Sequence, residues 1–326
     1  MIESEIKKRA EIFESYWRKH LSGNDPRRLY DASRHLLLAG GKRLRPCLAM
    51  LACESSGGEA ERVLPFAAAI EFVHCFTLIH DDIMDKSTLR RSQPTVHVKY
   101  GESTAILAGD VLFAKAFEAM YDLSIDPIIW KNLEYKMSLC TVEICEGQEL
   151  DIEFESRSRV TENEYLEMIR KKTAVIFKLA AYGGGIIGNA DEKSAEMLGE
   201  YGLNLGLAFQ IWDDYLDISS TEEILGKDIG NDIRNGKKTL IAVHALAHAK
   251  GADKKLINGI FSNPKATDDD IQRLLDLFKD LGSVEYAKKV ALSYVEKAQN
   301  ALDKLPDTKA KEILNNLAAY TIQREK

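Results

Sequence analysis

Long stretches with apolar side chains three and four residues apart leave little of this chain free to form anything but helix. Residues 63–85, 103–123, 128–150 and 192–218 all carry the pattern, and all outrun an ordinary strand. Proline is scarce, and Pro26, Pro46, Pro94 and Pro127 fall near the starts of such stretches. Asp25-Pro26 and Asp126-Pro127 are expected to open helices, with Asp as N-cap and Pro at the first helical position. No hairpin with alternating β-branched residues stands out. The irregular stretches are brief: 55–59, 86–94, 226–238 and 251–254. From about Thr267 onward, charged and apolar positions alternate as in peripheral amphipathic helices. The expectation is an all-α chain, folded as one large helical domain over residues 1–326.

Two of these apolar stretches end on the same acidic pattern. Asp81-Asp82-Ile83-Met84-Asp85 closes one, and Asp213-Asp214-Tyr215-Leu216-Asp217 closes another. On a helix the three aspartates of each cluster fall within an arc of about 100°. Crowded carboxylates repel one another, and the helix dipole disfavours them at a C-terminus. A solvated acidic helix end explains one such cluster; two identical ones point to a hard divalent cation, with oxygen ligands suited to magnesium or manganese. If tertiary folding brings the clusters face to face, they make a cage for several ions, and a diphosphate is the natural guest.

An anionic guest poses a charge problem, because the chain carries a net charge of −7. That balance excludes general nucleic-acid binding and requires local cations or metals for any phosphate ligand. Gly40-Gly41-Lys42-Arg43-Leu44-Arg45-Pro46 supplies three cations beside a flexible glycine pair. Lys86 to Arg91 adds more directly after the first acidic cluster, as do Lys171-Lys172-Thr173, Lys227 and Lys237-Lys238. Singly, each is a plausible solvated surface group. His74 lies seven residues before Asp81, about 20° away around the helix, and so shares the aspartate face. His244 and His248 lack the intervening Glu of a zinc-protease motif and are expected to be structural. Gly183-Gly184-Gly185 matches no nucleotide loop and suggests a kink or close helix packing.

The ordered set GGKRLRP, HDDIMD, RRSQPTVH, EGQELD, KKT, FQIWDDYLD and GKDIGNDIRNGKKT resembles the trans-isoprenyl diphosphate synthases, or polyprenyl synthetases. It covers roughly residues 35 to 240. Ser92 departs from it, standing where the family usually has Gly. The resemblance implies the isoprenoid synthase fold, a helical bundle whose central cavity lies between the helices carrying the two acidic motifs. It implies magnesium-dependent condensation of isopentenyl diphosphate with an allylic diphosphate, two or three ions per site, and a homodimer. Asp81, Asp82 and Asp85 would bind two ions, and Asp213 a third, supported by Asp214 and Asp217. Arg90, Lys172, Lys227 and Lys237 would hold the allylic diphosphate, with help from Gln148. Lys42, Arg45, His74 and Arg91 would hold isopentenyl diphosphate. Gln148, Thr173 and Gln210 would face the reacting carbons.

Product length is expected to depend on the helix before Asp81. Phe76 stands five residues before that aspartate and the small Thr77 four before it. This pairing is similar to archaeal-type geranylgeranyl diphosphate synthases, with farnesyl diphosphate or a mixture as the alternative product. On an ideal wheel, however, Thr77 lies nearer the aspartate face than Phe76. A class I terpene cyclase would usually carry one such acidic motif and a different second one. A non-catalytic synthase subunit would typically lack one, and a purely structural helical protein leaves six aspartates at two helix ends unexplained. Five cysteines form no C-x-x-C pair, no long uninterrupted apolar run is present, and the N-terminus lacks the basic and apolar regions of a secretory signal. Buried free thiols in a reducing cytoplasm, without a membrane span, are the expectation.

Overall fold

The computed structural model describes residues 2–23, 25–219 and 231–323. In chain order its elements are α1 (Ile2–His20), α2 (Arg27–Leu38), α3 (Leu44–Ser55), a short 3-10 turn (Ala60–Val63) and α4 (Leu64–Met84). Next come β1 (Leu89–Arg90), β2 (Gln93–Pro94), α5 (Val96–Tyr100), α6 (Glu102–Tyr121), α7 (Pro127–Ser156) and α8 (Glu162–Ile169). A π-helical turn (Arg170–Ala174) leads into α9 (Val175–Ile187) and α10 (Glu192–Ser219). The chain then forms α11 (Asn231–Asn235), α12 (Leu240–His248), α13 (Gly251–Ile260), α14 (Asp268–Asp280), α15 (Ser283–Leu302) and α16 (Lys309–Thr321). The all-α expectation holds, and the four longest predicted stretches are all helices.

Four local expectations need correction, the first being that Asn231–Asn235, inside a stretch expected to be irregular, is a short helix. Pro26 occupies the N-cap position of α2, so Asp25 does not cap it. At Asp126-Pro127 the prediction stands, because Asp126 Oδ1 accepts from the Ile128 amide at 2.8 Å. The stretch 251–254 opens α13 instead of looping. Within 86–94 the chain makes a small antiparallel hairpin, pairing Leu89 with Pro94 and Arg90 with Gln93. Arg91 and Ser92 form its two-residue turn, with φ of 54° and 58°. Positive φ at both positions is the geometry favoured in tight hairpins, and it normally selects Gly, Asn or Asp.

The chain resolves into two compact units. The first comprises Met1–Thr141, Ile176–Gly199 and Lys304–Asn316; the second comprises Val142–Val175, Glu200–Asp303 and Leu317–Lys326. In the first unit α4 is predominantly apolar and buried along most of its length. Residues 60–84 are long and apolar enough to cross a membrane, but 72% of that window is buried inside the protein, as for a core helix. Small buried residues on α6 (Ala105, Ala108, Gly109, Ala116 and Ala119) let it lie close against α4. The run Gly183-Gly184-Gly185 serves close packing too: a Cβ at Gly183 would strike the Phe66 ring, and one at Gly184 the backbone of Ala49. Of the five free cysteines, Cys47, Cys53, Cys75 and Cys140 are buried and Cys145 is exposed. Burial pushes the Cys47 and Cys75 thiols up to about 12, so they behave as inert apolar groups.

The second unit is organised around Tyr165, Ile211, Leu240, Ile257, Leu274 and Phe278. The helix Asp268–Asp280 begins with a capping box, in which Thr267 and Asp270 satisfy each other's backbone amides. Its apolar face joins that core. His244 Nδ1 meets Ser283 Oγ at 2.9 Å, and the ring stacks on Tyr286, as expected of a structural histidine.

Candidate active site

In the first unit, the predicted cations separate by what they touch. Arg43, in the left-handed region with φ of 49°, is only 3% exposed. It pairs with Glu14 at 2.7 Å and Glu71 at 2.9 Å, and it also donates to the Leu37 carbonyl. Two carboxylates neutralise it, so it builds the loop and binds no ligand. Arg45, two residues on, donates to His74 Nε2 at 3.0 Å, and its guanidinium lies 4.4 Å from the centre of the Phe177 ring. Arg91 donates to the carbonyls of Leu36 and Gly40. A Cβ at Gly41 would lie 2.8 Å from the Arg91 guanidinium carbon, which explains the second glycine of the pair. Lys42 is exposed beside them.

His74 joins this group. Burial lowers its pKa well below the usual value, and Arg45, Arg91, Arg90 and Arg43 push it the same way. It therefore stays neutral. Because its Nε2 accepts from Arg45, its proton resides on Nδ1. Arg45, His74 and Arg91, from α3, α4 and the hairpin turn, form a positive patch centred on a neutral imidazole.

The first acidic cluster occupies the last turn of α4. Asp82 is 2% exposed, and both of its oxygens accept from Arg90 Nε, at 2.8 and 2.9 Å. Burial raises the Asp82 pKa, while Arg90 opposes the rise. Asp81 and Asp85 are half-buried and one turn apart on the same face.

In the second unit, the π-helical turn Arg170–Ala174 sets out a polar chain. The Thr173 hydroxyl donates to Gln210 Oε1 at 2.8 Å, and Gln210 Nε2 donates to Asp214 Oδ1 at 2.9 Å. The other Asp214 oxygen accepts from the Tyr165 hydroxyl at 2.7 Å. Burial pushes Asp214 up to about 8; the hydrogen bonds from Tyr165 and Gln210 pull it down, while Asp213 and Asp232 raise it. A divalent cation beside these aspartates would reverse that push. Asp213 and Asp217 are half-buried on the same helix end. Lys172 Nζ meets Asp151 Oδ2 at 2.7 Å. Gln148 is 9% exposed and Thr173 8%.

Gly147 brings α7 against this turn, since a Cβ there would lie 2.7 Å from Lys172 Cα and nearer still to its amide nitrogen. Lys237 is half-buried, whereas Lys238 is 5% exposed and donates to the Gly236 carbonyl at 3.0 Å. Lys227 lies outside the described residues.

Among the described residues, no three His, Cys, Asp or Glu side chains gather closely enough to enclose a metal ion. The donor set nonetheless fits magnesium, which is held through one or two carboxylates together with water and phosphate oxygens. Asp151, Tyr165 and Gly147 had no assigned role in the sequence reading. Asp151 could have been found in the EGQELD match, three residues after Gln148; Tyr165 carries no local signal.

The pattern of the family described as Polyprenyl synthetase matches residues 26–278. The chain belongs to that family. A geranylgeranyl diphosphate synthase of Methanosarcina mazei is 45% identical over 98% of this chain and 97% of its own. A geranylfarnesyl diphosphate synthase of Natronomonas pharaonis is 40% identical over 99% of this chain and 98% of its own. Among solved structures, a geranylgeranyl pyrophosphate synthetase from Pyrococcus horikoshii superposes with a TM-score of 0.94 at 43% identity, covering 99% of this chain and 98% of that one. The polyprenyl synthetase resemblance of the motifs thus extends to the whole fold.

Proposed function

We propose that this polyprenyl synthetase condenses isopentenyl diphosphate with allylic diphosphates, in a magnesium-dependent reaction, to give mainly geranylgeranyl diphosphate. The observation that carries the reading is the pairing of two separate polar assemblies. One is the Arg45–His74–Arg91 patch; the other is the Thr173–Gln210–Asp214 chain beside Lys172. The first suits the diphosphate of isopentenyl diphosphate; the second faces the reacting carbons of the allylic substrate, with Lys172 beside it for the leaving diphosphate. The chain acts as one synthase domain over residues 1–326.

Asp81 and Asp85 in the first unit, and Asp213 in the second, would each hold magnesium, which would supply charge neutralisation for a departing diphosphate. Asp82 keeps Arg90 at the edge of that cluster, and Lys172, Lys227 and Lys237 add positive charge for the same leaving group. The allylic C–O bond breaks and its electron pair stays with the diphosphate. The Thr173 hydroxyl donates its hydrogen bond to Gln210 Oε1, so the lone pairs of its oxygen remain for the electron-poor allylic carbon. Gln210 cannot swing away, because its amide is fixed at both ends. Lys42, Arg45 and Arg91 hold isopentenyl diphosphate while its alkene attacks that carbon. The new cation then loses a proton to the released diphosphate.

Chain length is set at Phe76. This residue is 9% exposed and meets Phe113 edge-on at 5.3 Å, so its ring stands where α4 faces α6. The Thr77 hydroxyl is turned back onto the His74 carbonyl at 2.8 Å, leaving a small side chain at that position. A second copy of the chain covers the outward face of α6 and the start of α7. There Leu107, Tyr121, Ile128, Tyr135 and Leu139 are large apolar side chains exposed to solvent in the single chain. The homodimer works in the cytoplasm, where its free thiols stay reduced.

The test is incubation with isopentenyl diphosphate, an allylic diphosphate and magnesium, followed by chromatography of the dephosphorylated products. Geranylgeraniol is the expected main product. Cyclic hydrocarbons, or no condensation at all, would overturn the proposal.

A further inference from the structure

Phe76 does not stand alone. Its ring meets the His80 imidazole one turn later, with centroids 5.6 Å apart and planes at 82°. Phe113 closes on Phe76 from α6, and Phe117 closes on Phe113 at 5.1 Å and 87°. Four rings from two helices therefore form a continuous edge-to-face series, the arrangement aromatic quadrupoles prefer.

His80 is fixed by more than stacking. Its Nε2 lies 3.1 Å from the Ile106 carbonyl on α6. A carbonyl only accepts, so that nitrogen carries the proton. The imidazole also rests directly on the α-carbon of Gly109: a Cβ there would lie 2.6 Å from His80 Cδ2 and 3.0 Å from Cε1. Gly109 is fully helical and needs no unusual backbone angle. The absence of a side chain is what makes the slot.

We propose that His80, seated in the Gly109 slot, is a positioning residue for product length: it holds the Phe76 ring across the path of the growing prenyl chain. The inference rests on the assignment of Phe76 as the stop. His80 touches neither diphosphate in this scheme and acts only through the Phe76 ring. Without the imidazole, Phe76 can rotate into the space left behind, and the path deepens by about one isoprene unit. An alanine at 109 evicts His80 and has the same consequence by another route.

The experiment compares His80→Ala, Gly109→Ala, the double variant and Phe76→Ala. The readouts are the ratio of geranylfarnesyl to geranylgeranyl product and the thermal unfolding midpoint. Each single change at 80 or 109 should raise that ratio about tenfold, the scale of one lost aromatic contact and one lost hydrogen bond. The double variant should match His80→Ala alone, because the three atoms nearest a methyl group at 109 all belong to the imidazole. A merely structural role would lower the unfolding midpoint and leave the ratio unmoved. His80→Gln, which keeps an N–H donor without the ring, replaces His80→Ala if that variant does not fold. Unchanged ratios at 80 and 109 with longer products from Phe76→Ala would overturn the clamp and leave Phe76 as the stop. Unchanged products from Phe76→Ala as well would remove Phe76 itself.

Discussion

Gly147→Ala is the change whose outcome most sharply tests how the second unit builds its site. In a helix interior, alanine is better than glycine by about 1 kcal/mol, so propensity alone predicts a more stable protein. Here the added methyl group would sit 2.7 Å from Lys172 Cα and 2.9 Å from the Lys171 carbonyl carbon, with the Lys172 amide nitrogen nearer still. These are backbone atoms of the π-helical turn and cannot rotate aside. Restoring ordinary van der Waals distance requires α7 and the turn to part by roughly 1 Å. Overpacking of this kind costs about 1–3 kcal/mol, which cancels or exceeds the propensity gain. The larger loss is functional. Lys172 is tied to Asp151 on α7, and Thr173 is tied to Gln210 on α10, so a 1 Å displacement pulls the turn from both. Misplacement on that scale costs about 100-fold in rate. Turnover should therefore fall about 100-fold while the unfolding midpoint stays level or drops a few degrees. Wild-type turnover together with a raised midpoint would show that the close approach at Gly147 is not required.

Three further outcomes follow from the same geometry. Asp81→Ala and Asp213→Ala should each cut turnover by orders of magnitude, and excess chelator should abolish it; turnover that survives chelation would contradict the metal assignment. Tyr165→Phe removes one donor from Asp214 and should raise the magnesium concentration needed for half-maximal rate by about 10-fold, as loss of a partner behind a ligand commonly does; an unchanged magnesium titration would refute it. His74 is held neutral when folded but accepts a proton near pH 6.5 when unfolded. Below that pH the unfolded chain binds the extra proton, so stability should fall by about 1.4 kcal/mol per pH unit from this residue alone. Chemical denaturation from pH 7 downward should show a shallower loss in His74→Asn than in the parent; equal slopes would mean that His74 titrates normally.

The helices were legible because their apolar faces repeat over many turns: residues 63–85 were expected and Leu64–Met84 is found. The hairpin at 89–94 was not, because strands of two residues carry no alternation to detect. Its turn residues, Arg91 and Ser92, also lack the glycine that usually marks positive φ. Helix starts were legible only where a side chain does the capping, which Asp126 does and Asp25 does not. The acidic clusters could be found from spacing alone. Tyr165 could not, because its link to Asp214 joins residues 49 positions apart.

The cationic loop shows most plainly what spacing leaves undecided. In Gly40-Gly41-Lys42-Arg43-Leu44-Arg45 the charges look equivalent, yet the fold gives them opposite tasks. Arg43 is turned inward onto Glu14 and Glu71, where two carboxylates repay the cost of burying a guanidinium. Arg45 is held by the ring nitrogen of His74 and the face of Phe177, and Arg91 by two backbone carbonyls. None of those four contacts carries a negative charge, so each orients a guanidinium group without itself opposing the charge. The neutrality of His74 follows from the same arrangement: burial and four nearby arginines expel its proton, which frees Nε2 to accept from Arg45. At Arg45 and Arg91, dipoles take the orienting part that carboxylates take at Arg43, Arg90 and Lys172. Substituting His74 by Asp would reverse that logic. The new carboxylate would neutralise Arg45, and the Michaelis constant for isopentenyl diphosphate should rise by at least about 10-fold, one paired charge being worth about 1.4 kcal/mol or more at a partly buried site. His74→Asn, which keeps a neutral acceptor, should raise it far less, and equal effects from the two variants would refute the argument.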